Sequence, residues 1–591
     1  MSLNAELSEL FRILAALMDI KGENVFKAMA FSKVSRILKD ATIDVKKAVE
    51  EGTLEEIEGI GASSRRVIEQ YVRTGKSEDF DAVAATVPAG LIPMLEIPNL
   101  GPKTIALLWK QRGITSIDEL AKAIDAGKLA ELPGMGEKKI QLIKQGLALR
   151  TAAGKRIGIV TALPLGEMLA EQLRHLSGVA AAEVAGSLRR RSETVGDLDL
   201  VCAVKKGAGG EAVAEAFVEF PQVHRVQAKG AAKVSIATAD DLQVDLRIVP
   251  EEHFGATLMY LTGSKAHNVH LRGLAQAKKM TLNEWGLYEL DQYEKAKKSP
   301  GAAPAAKPVA AKTEREIYNA LGLKWIEPEL REDRGEIEAA AADALPKLIE
   351  LKDIRGDLHC HTNASDGRSS IEQMAQAALD RGYEYLAITD HSKTQVIANG
   401  LTAQRLAKHA AEIRRISSSL KGITLLAGCE VDILADGRLD FEDAVLAELD
   451  FVVASPHVAL KQPPAKATDR LLRAVENRYV NVIGHPTGRL IFEREGLTFD
   501  FEKVFKAAAA TGTALEINGA YPRLDLNDVQ ARAALAAGVK LSVDTDAHST
   551  EGLDDMRIGV FVARRAWASS RDVINGMTLG QLRQFIAHKR K

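Results

Sequence analysis

Two aspartates one residue apart follow an arginine-rich turn in the segment AGSLRRRSETVGDLDL, residues 185–200. Alternate side chains of a strand share a face, so Asp197 and Asp199 point the same way. Carboxylates this close repel each other unless a cation lies between them. Asp245, out of phase with the apolar positions of the strand pattern LQVDLRIV, supplies a third carboxylate. Three such acids can hold two Mg²⁺ ions for phosphoryl transfer.

The residues before the aspartates suit a phosphorylated ligand. A Gly-Ser turn leaves backbone N–H groups and a hydroxyl free to hold phosphate oxygens. Three arginines follow this turn, and arginine can form bidentate hydrogen bonds with the same phosphate oxygens. An isolated Asp-x-Asp is usually the exposed acidic edge of a hairpin. The turn, the arginines and the second acidic strand together make that alternative the weaker one.

The stretches GSLRRRSETVGDLDL, VDLRIVP and YLTGSKAHN resemble the palm and nucleotide pocket of family X DNA polymerases, the polymerase beta group. The resemblance implies Mg²⁺ or Mn²⁺ binding by Asp197, Asp199 and Asp245, with Asp245 also acting on the primer 3′-hydroxyl. It further implies contacts with a deoxynucleoside triphosphate, first with its phosphates and then with its sugar and base. These contact residues are Ser187 and Arg190, lined by Gly186 and Gly196, and then Tyr260, Gly263 and Asn268.

A tight glycine turn between short helices occurs three times in the first 150 residues, in LEEIEGIGAS, IPNLGPKT and LPGMGEKK. Such helix-hairpin-helix turns aim backbone N–H groups at a DNA phosphate. One copy alone is weak evidence, but three copies predict sequence-independent binding to the DNA backbone, here of gapped or primed duplex DNA. The predicted contact residues are Gly59, Gly61, Gly101, Lys103, Gly134, Gly136 and Lys138.

Two positions depart from the family pattern. Val67 stands where the family can carry a lysine that forms a Schiff base with a 5′-deoxyribose phosphate. The neighbouring Arg65 and Arg66 stay protonated and cannot replace that amine. We therefore expect weak or absent lyase chemistry with 5′-phosphate binding retained. Leu261 replaces the aromatic residue that usually follows the tyrosine, and we expect altered sugar selection or nucleotide placement.

Histidines and acids cluster at the ends of strand patterns after residue 350, in DLHCH, TDH, GCE, SPH, GHP and DTDAH. With LEIN, residues 515–518, counted as a further strand end, strand, polar site and helix repeat about seven times, which predicts a βα barrel with its chemistry at the carboxyl ends of the strands. One histidine at a strand end is usually a core residue. Six of the chain's 13 histidines at such ends favour a multinuclear metal site instead.

This half resembles the PHP domain, the polymerase and histidinol phosphatase group. The resemblance implies one metal on His359, His361, Glu430 and Asp546, a second on Glu430, His457 and His485, and a third on Asp366, His391 and His548. Imidazole with carboxylate suits Mn²⁺, Zn²⁺ or Fe better than Mg²⁺, so up to three such ions are expected. Strand alternation turns Cys360 and Cys429 away from the ligands, as packed small residues.

Composition fits a protein of several domains. The 591 residues are 46% hydrophobic with a net charge of −2, so DNA binding must come from local basic patches. Three cysteines without a C-x-x-C pair fit a reducing cytosol. Acids early in the N-terminal stretch argue against a signal peptide, and no apolar run predicts a membrane span. We expect a cytoplasmic monomer.

The expected fold is multidomain, with all-α hairpin domains, an α/β nucleotidyltransferase palm and thumb, and a distorted (β/α)7-type barrel. The predicted bounds are a lyase-like domain 1–80, fingers 81–150, palm 151–256, thumb 257–335, PHP domain 336–575 and tail 576–591. The Ala-, Pro- and Lys-rich stretch 291–312 predicts a solvated linker or surface insertion.

Together these features predict a DNA polymerase that fills short gaps in DNA repair, fused to a metal-dependent 3′→5′ exonuclease. Processing of abasic sites or blocked 3′ ends is a possible addition. The first alternative is a nuclease whose polymerase half only binds DNA, which the three palm aspartates argue against. A phosphatase for small molecules and a non-catalytic repair scaffold are the others. The hairpins disfavour the phosphatase, and the scaffold requires both metal sites to be silent.

Overall fold

The computed structural model describes residues 3–22, 25–40, 45–56, 59–97, 99–153, 156–296 and 303–590. The chain forms two compact units. The first contains Met1–Gly154 and Phe492–Arg494, and the second contains Lys155–Ile491 and Glu495–Lys591. Among the described residues, no helix is both long and apolar enough to cross a bilayer.

The first unit is helical, as predicted. Its first helix buries Leu7, Phe11 and Leu14, which recur at helical spacing and pack against Phe31 of the second helix. A second apolar cluster occupies the hairpin region beyond residue 83. The helices are α1 Leu3–Lys21, α2 Val25–Asp40, α3 Val45–Glu51, α4 Ala62–Thr74, α5 Glu78–Ala84, α6 Leu91–Met94, α7 Pro102–Arg112, α8 Ile117–Asp125 and α9 Glu137–Ala153.

The palm is a five-stranded sheet in the order β2-β4-β7-β6-β5. Strands β4 and β7 are parallel and the other neighbours are antiparallel. All residues of the edge strand β5 are exposed, so no buried alternation marked it in the sequence. The elements are β1 Ile157–Gly158, α10 Ile159–Arg174, β2 Val179–Val184, α11 Gly186–Arg189, β3 Thr194–Val195, β4 Leu198–Val204, α12 Gly210–Val218, β5 Arg225–Lys229, β6 Lys233–Ala237 and β7 Gln243–Pro250.

The thumb follows the palm directly and packs around a core that includes Leu271, Ile317 and Tyr318. Its elements are α13 Phe254–Thr262, α14 Lys265–Ala277, β8 Met280–Asn283, β9 Gly286–Glu289, α15 Leu290–Ala296, α16 Glu314–Ala320 and α17 Glu336–Ala341.

The stretch expected to be a solvated linker is in part thumb core. Its start lies in helix α15, and residues 297–302 lie outside the described residues. Ala310 and Ala311 are buried, and the amide of Leu287 donates to the carbonyl of Ala310 at 2.8 Å. The prediction of a solvated linker is therefore wrong for Ala310 and Ala311, because alanine packs in a core as readily as it lines a solvated loop.

A buried carboxylate joins the palm to the thumb. Glu314 accepts hydrogen bonds from Arg189 at 2.7 and 2.8 Å and from Arg331 at 2.6 Å. Arg331 is fully buried and also lies against the Trp325 ring. Burial raises the pKa of Glu314, but the two arginines outweigh it and lower that pKa to about 2.

The second half is a nearly closed barrel of seven parallel strands in chain order, which confirms the predicted architecture. A bridge between Cys360 and Ala547 links the first strand to the residues after the last one. The strands are β10 Gly356–Cys360, β11 Tyr385–Ile388, β12 Thr424–Asp432, β13 Phe451–Ser455, β14 Val482–Ile483, β15 Ala514–Asn518 and β16 Leu541–Asp544.

Helices surround this barrel. They are α18 Ile371–Asp380, α19 Ala403–Ser419, α20 Asp443–Leu446, α21 Pro464–Glu476, α22 Phe501–Thr511, α23 Asp528–Ala536, α24 Met556–Arg565 and α25 Leu579–Lys589. Helix α25 lies in residues 576–591, which were predicted to form a C-terminal tail. Its Leu582 and Ile586 are buried among strand residues such as Phe451, so this segment belongs to the barrel core.

We predict that Glu314→Gln destabilises the protein by about 3 to 5 kcal/mol at pH 7, because it leaves Arg331 buried without its carboxylate. The folded-state pKa lies below the ordinary value of 4.5, so the contribution of Glu314 is complete above about pH 4.5 and declines as pH falls towards 2. Urea denaturation followed by tryptophan fluorescence between pH 7 and about pH 2.5 measures both effects. Glu338→Gln, at an exposed acid, is the control, and equal midpoints for the two variants would contradict the prediction.

Candidate active sites

The palm aspartates meet at the centre of the sheet. Asp199 on β4 lies in direct register with Asp245 on β7, and Asp197 lies just before β4. Burial raises the pKa of Asp199 to about 7, and the charges of Asp197 and Asp245 add to that shift. A buried carboxylate beside two further acids forms a site with a deficit of positive charge. A divalent cation fits this donor set of oxygens.

Two neighbours fix the orientation of Asp245. Its Oδ2 atom accepts a hydrogen bond from Lys233 at 3.0 Å, and its Oδ1 atom accepts one from Gln243 at 3.2 Å. Gly186 approaches Asp199 closely, since a Cβ at this glycine would lie 2.3 Å from Asp199 Oδ2, and its φ is +61°. The Gly-Ser turn therefore lies directly against the carboxylates.

Several predicted nucleotide contacts lie near one another beside this turn. The Nη1 atom of Arg190 donates to the carbonyl of Thr262 at 2.6 Å and lies 3.4 Å from where a Gly263 Cβ would stand. Asn268 donates to the carbonyl of Tyr260 at 2.7 Å, and the Tyr260 side chain is exposed.

Three further positions predicted in the nucleotide pocket are Ser187, Gly196 and Leu261. Ser187 lies in the short helix α11, and Gly196 lies in a half-buried bend before Asp197. Leu261 packs against a small apolar cluster that contains Val201 and Leu258.

The second candidate site lies at the mouth of the barrel, where the nine predicted ligands all sit at or after the carboxyl ends of strands. Glu430 on β12 is its centre, since ring nitrogens of five histidines lie within 3.7 Å of its carboxylate oxygens. These distances are 3.4 Å to His359, 3.7 Å to His361, 2.7 Å to His391, 3.3 Å to His457 and 2.9 Å to His485.

The side chains of the mouth form three groups that could each hold an ion. The ligand atoms within each group lie within 4.8 Å of one another. The groups are His359 with His361 and Asp546; His391 with Glu430 and His457; and Asp366 with His361, His391 and His548. These sets overlap with those that the resemblance implied, and His361 and His391 each join two groups.

The unpaired atoms of the mouth fit metal ions. Among the described residues, neither ring nitrogen of His361 has an aligned hydrogen-bond partner, and the same holds for His359 Nε2. His361 is fully buried, and its Nε2 lies 3.0 Å from Asp546 Oδ1. Buried nitrogens without partners are costly, and a divalent cation would satisfy them together with the carboxylates.

Two histidines of the mouth, His361 and His485, are held in the neutral form. Burial, together with the charges of His548 and His391, lowers the pKa of His361 to about 4. Burial and the nearby Arg523 lower the pKa of His485 to about 3. Both rings are neutral at pH 7, which is the form that binds metal.

Two carboxylates behind the ligands are absent from the sequence-based prediction. Glu516 Oε1 lies 2.6 Å from His359 Nδ1, and Asp432 Oδ1 lies 2.5 Å from His457 Nδ1. Each contact keeps the N–H on Nδ1 and leaves Nε2 facing the mouth. The available signal was strand alternation, since Glu430 and Asp432 share one face of β12 and Glu516 lies in the predicted strand LEIN.

The cysteines beside the ligands serve packing. Cys360 and Cys429 are buried, and the thiol of Cys360 donates to the carbonyl of Ala387 at 3.2 Å.

The three hairpins of the first unit share one backbone design. A positive φ precedes a buried apolar residue at each turn, at Gly59 (+95°), Asn99 (+67°) and Gly134 (+73°). Asparagine tolerates this conformation nearly as well as glycine. The second glycines, Gly61, Gly101 and Gly136, each stand immediately before a helix, and a Cβ there would meet no described atom within 4 Å.

Models of known protein families match successive parts of this chain in the order of the domains described above. Family models match residues 2–77 as a helix-hairpin-helix domain, 91–149 as a SAM-like helix-hairpin-helix tandem, 257–332 as a DNA polymerase beta thumb and 357–520 as a PHP domain. The DNA polymerase/3′-5′ exonuclease PolX of Bacillus subtilis (strain 168) is 38% identical over 583 residues, 98% of this chain and 99% of that protein. The chain belongs to the PolX family.

Other relatives of this PolX-family chain match a smaller share of it. A protein named Probable phosphatase from Thermoanaerobacter sp. (strain X514) is 27% identical over 246 residues, 40% of this chain and 95% of that protein. Another of that name from Acetivibrio thermocellus is 35% identical over 166 residues, 27% of this chain and 64% of that protein.

We predict that Glu516→Gln weakens metal binding at the mouth by about 10- to 100-fold, because the His359 ring loses the carboxylate that orients it. The metal content per chain, measured by mass spectrometry after dialysis against graded chelator, reports this change without any activity assay. Glu502→Gln, at an exposed acid on α22, is the matched control. Equal retention of metal by the two variants would show that Glu516 does not support the site.

Proposed function

We propose that this chain is a DNA-directed DNA polymerase that fills short gaps during DNA repair, and that its barrel is a metal-dependent 3′→5′ exonuclease. The observation that carries the first activity is the pairing of Asp199 with Asp245 on adjacent parallel strands, beside the Gly-Ser turn. The mouth centred on Glu430 carries the second activity. The relative named a polymerase and exonuclease spans both halves, which supports one protein with both activities.

In the palm, two bound Mg²⁺ or Mn²⁺ ions would neutralise the phosphates and activate the 3′-hydroxyl. Asp197 and Asp199 would hold these ions, and Asp245 would face the primer end in the orientation that Lys233 and Gln243 impose. The helix start and the half-buried hydroxyl of the Gly-Ser turn suit the triphosphate. Arg190 reaches the same pocket and offers charged donors to phosphate oxygens.

At the barrel mouth, bound Mn²⁺, Zn²⁺ or Fe would supply a hydroxide nucleophile and stabilise the leaving oxygen. The histidines and acids of the three groups would hold these ions. Glu516 and Asp432 would keep the imidazoles of His359 and His457 in the tautomer that binds metal. Asp366 and His548 are the most exposed members of this site, so a phosphodiester would approach the ions from their side.

Binding of duplex DNA is assigned to the hairpins. Open space at Gly61, Gly101 and Gly136 lets a phosphate approach the N–H groups at the start of the helix that follows each glycine. Lys103 and Lys138 lie in the first turns of α7 and α9 and add positive charge. These contacts carry no base readout, which suits an enzyme that must act at any sequence.

We predict that each half can be silenced alone. Asp197→Ala should lower primer extension by about 1000-fold or more with exonuclease retained, and His361→Ala should do the reverse, because each removes a ligand from a different site. A 5′-labelled primer on a gapped duplex with Mn²⁺, with and without nucleotides, measures both activities on one gel.

Asp240→Ala and His175→Ala, at exposed residues outside both sites, are the controls. Shortening without extension in the wild-type protein would favour the nuclease that only binds DNA through its first half. Loss of both activities in either single variant would contradict two separate sites.

We predict that borohydride traps little or no covalent adduct with 5′-deoxyribose-phosphate DNA. Val67 is fully buried in α4 and has no amine, and Arg65 and Arg66 are paired with Glu55 and Asp79 at 2.7 and 2.5 Å. A polymerase beta-type lyase with its lysine serves as positive control on the same DNA. An adduct at comparable yield would refute the expectation.

A further inference from the structure

One helix of the barrel faces the polymerase half. Arg557, Phe561, Arg564 and Arg565 of α24 recur at the spacing of one helix face. Each of them contacts a palm or thumb residue. These contacts are Arg557 with Glu167 at 2.6 Å, Phe561 under Arg191 at 4.6 Å, Arg564 with Glu329 at 2.7 Å and Arg565 with Glu332 at 3.1 Å.

Arg565 reaches deepest into the polymerase half, because it contacts the loop that we assign to the triphosphate. Its Nη1 atom donates to the carbonyl of Arg190 at 2.7 Å and to Glu332 Oε1 at 3.1 Å. Its Nη2 atom donates to Asp528 at 2.9 Å. The side chain is 9% exposed, so these contacts are shielded from solvent and little screened by salt.

Glu332 is shared between two arginines. Its Oε1 atom accepts from Arg190 Nε at 3.0 Å as well as from Arg565. Without Arg565, the whole charge of Glu332 would act on Arg190, and a triphosphate would have to compete with that carboxylate for the same guanidinium. With Arg565 present, Glu332 is neutralised from the barrel side.

The number of charges around Glu332 supports this role of Arg565. Arg190, Arg334 and Arg565 are linked to only two acids, Glu332 and Asp528, through contacts of 3.1 Å or less. One positive charge is therefore left over, and Arg190 is the arginine that borders the nucleotide pocket. Loss of Arg565 removes that surplus.

We propose that Arg565 of the barrel is a positioning residue of the polymerase site, which keeps Arg190 available to the triphosphate by holding Glu332 and the Arg190 carbonyl. The barrel thus contributes a side chain to nucleotide binding in addition to its own chemistry. This inference rests on the proposed polymerase function.

The test is a double-mutant cycle on the full chain. Arg565→Gln should raise the KM for deoxynucleoside triphosphate about tenfold, with kcat changed less, because the loss is one of binding. Arg565→Gln combined with Glu332→Gln restores the surplus charge and should bring KM back to within about threefold of the wild-type value. Arg565→Lys keeps the positive charge but loses the paired N–H donors of the guanidinium, so its KM should lie between those of wild type and Arg565→Gln.

Arg557→Gln is the matched control, since it breaks another contact between α24 and the palm without touching the pocket. Exonuclease activity should persist in every variant. The proposal is overturned if the double variant stays as impaired as Arg565→Gln, if Arg557→Gln raises KM equally, or if Arg565→Gln leaves KM unchanged.

Calorimetric titration with a non-hydrolysable deoxynucleotide analogue gives the same comparison without turnover. If the wild-type protein extends no primer, the proposed polymerase function fails, while the affinities still decide the role of Arg565. Should Arg565→Gln fail to fold, Arg565→Lys and its combination with Glu332→Gln complete the test.

Discussion

Burial of carboxylates is the constraint on which both sites depend. In the palm, the register of β4 and β7 holds Asp199 against Asp245, and the two cannot separate without breaking the ladder between the strands. In the barrel, the buried Glu430 and Asp546 are fixed on their strand ends in the same way. The fold therefore stores an electrostatic cost that bound cations offset, which ties the stability of each half to its ions.

The two halves meet this constraint with different donors. The palm presents oxygen donors only, a set that matches hard ions such as Mg²⁺. The barrel adds neutral imidazoles, which suit softer transition metals. One chain can thus keep two kinds of ion apart by ligand chemistry alone, with each site open to the metal that its donors prefer.

The sequence predicted most of the chemistry, because parallel strands end at one edge and carry their polar residues there. The histidines of the mouth follow this rule, whereas the palm aspartates lie at the starts of β4 and β7 and were predicted from side-chain alternation along a strand. The roles of Glu516 and Arg565 could not be predicted from strand patterns. Their partners, His359 and Arg190, lie 157 and 375 residues away along the chain, and only tertiary packing brings them together. Ala310 was assigned to a linker because alanine-rich composition is the same in a solvated loop and in a packed one.

The 375 residues between Arg190 and Arg565 also matter while the protein is being made. At a synthesis rate of about 5 to 20 residues per second, the palm loop leaves the ribosome roughly 20 to 75 s before the helix that completes its surroundings. During that interval Arg190 has Glu332 as its neighbour only once the thumb has emerged, and it lacks Arg565 throughout. The nascent polymerase half is therefore incomplete until the end of the barrel has been translated.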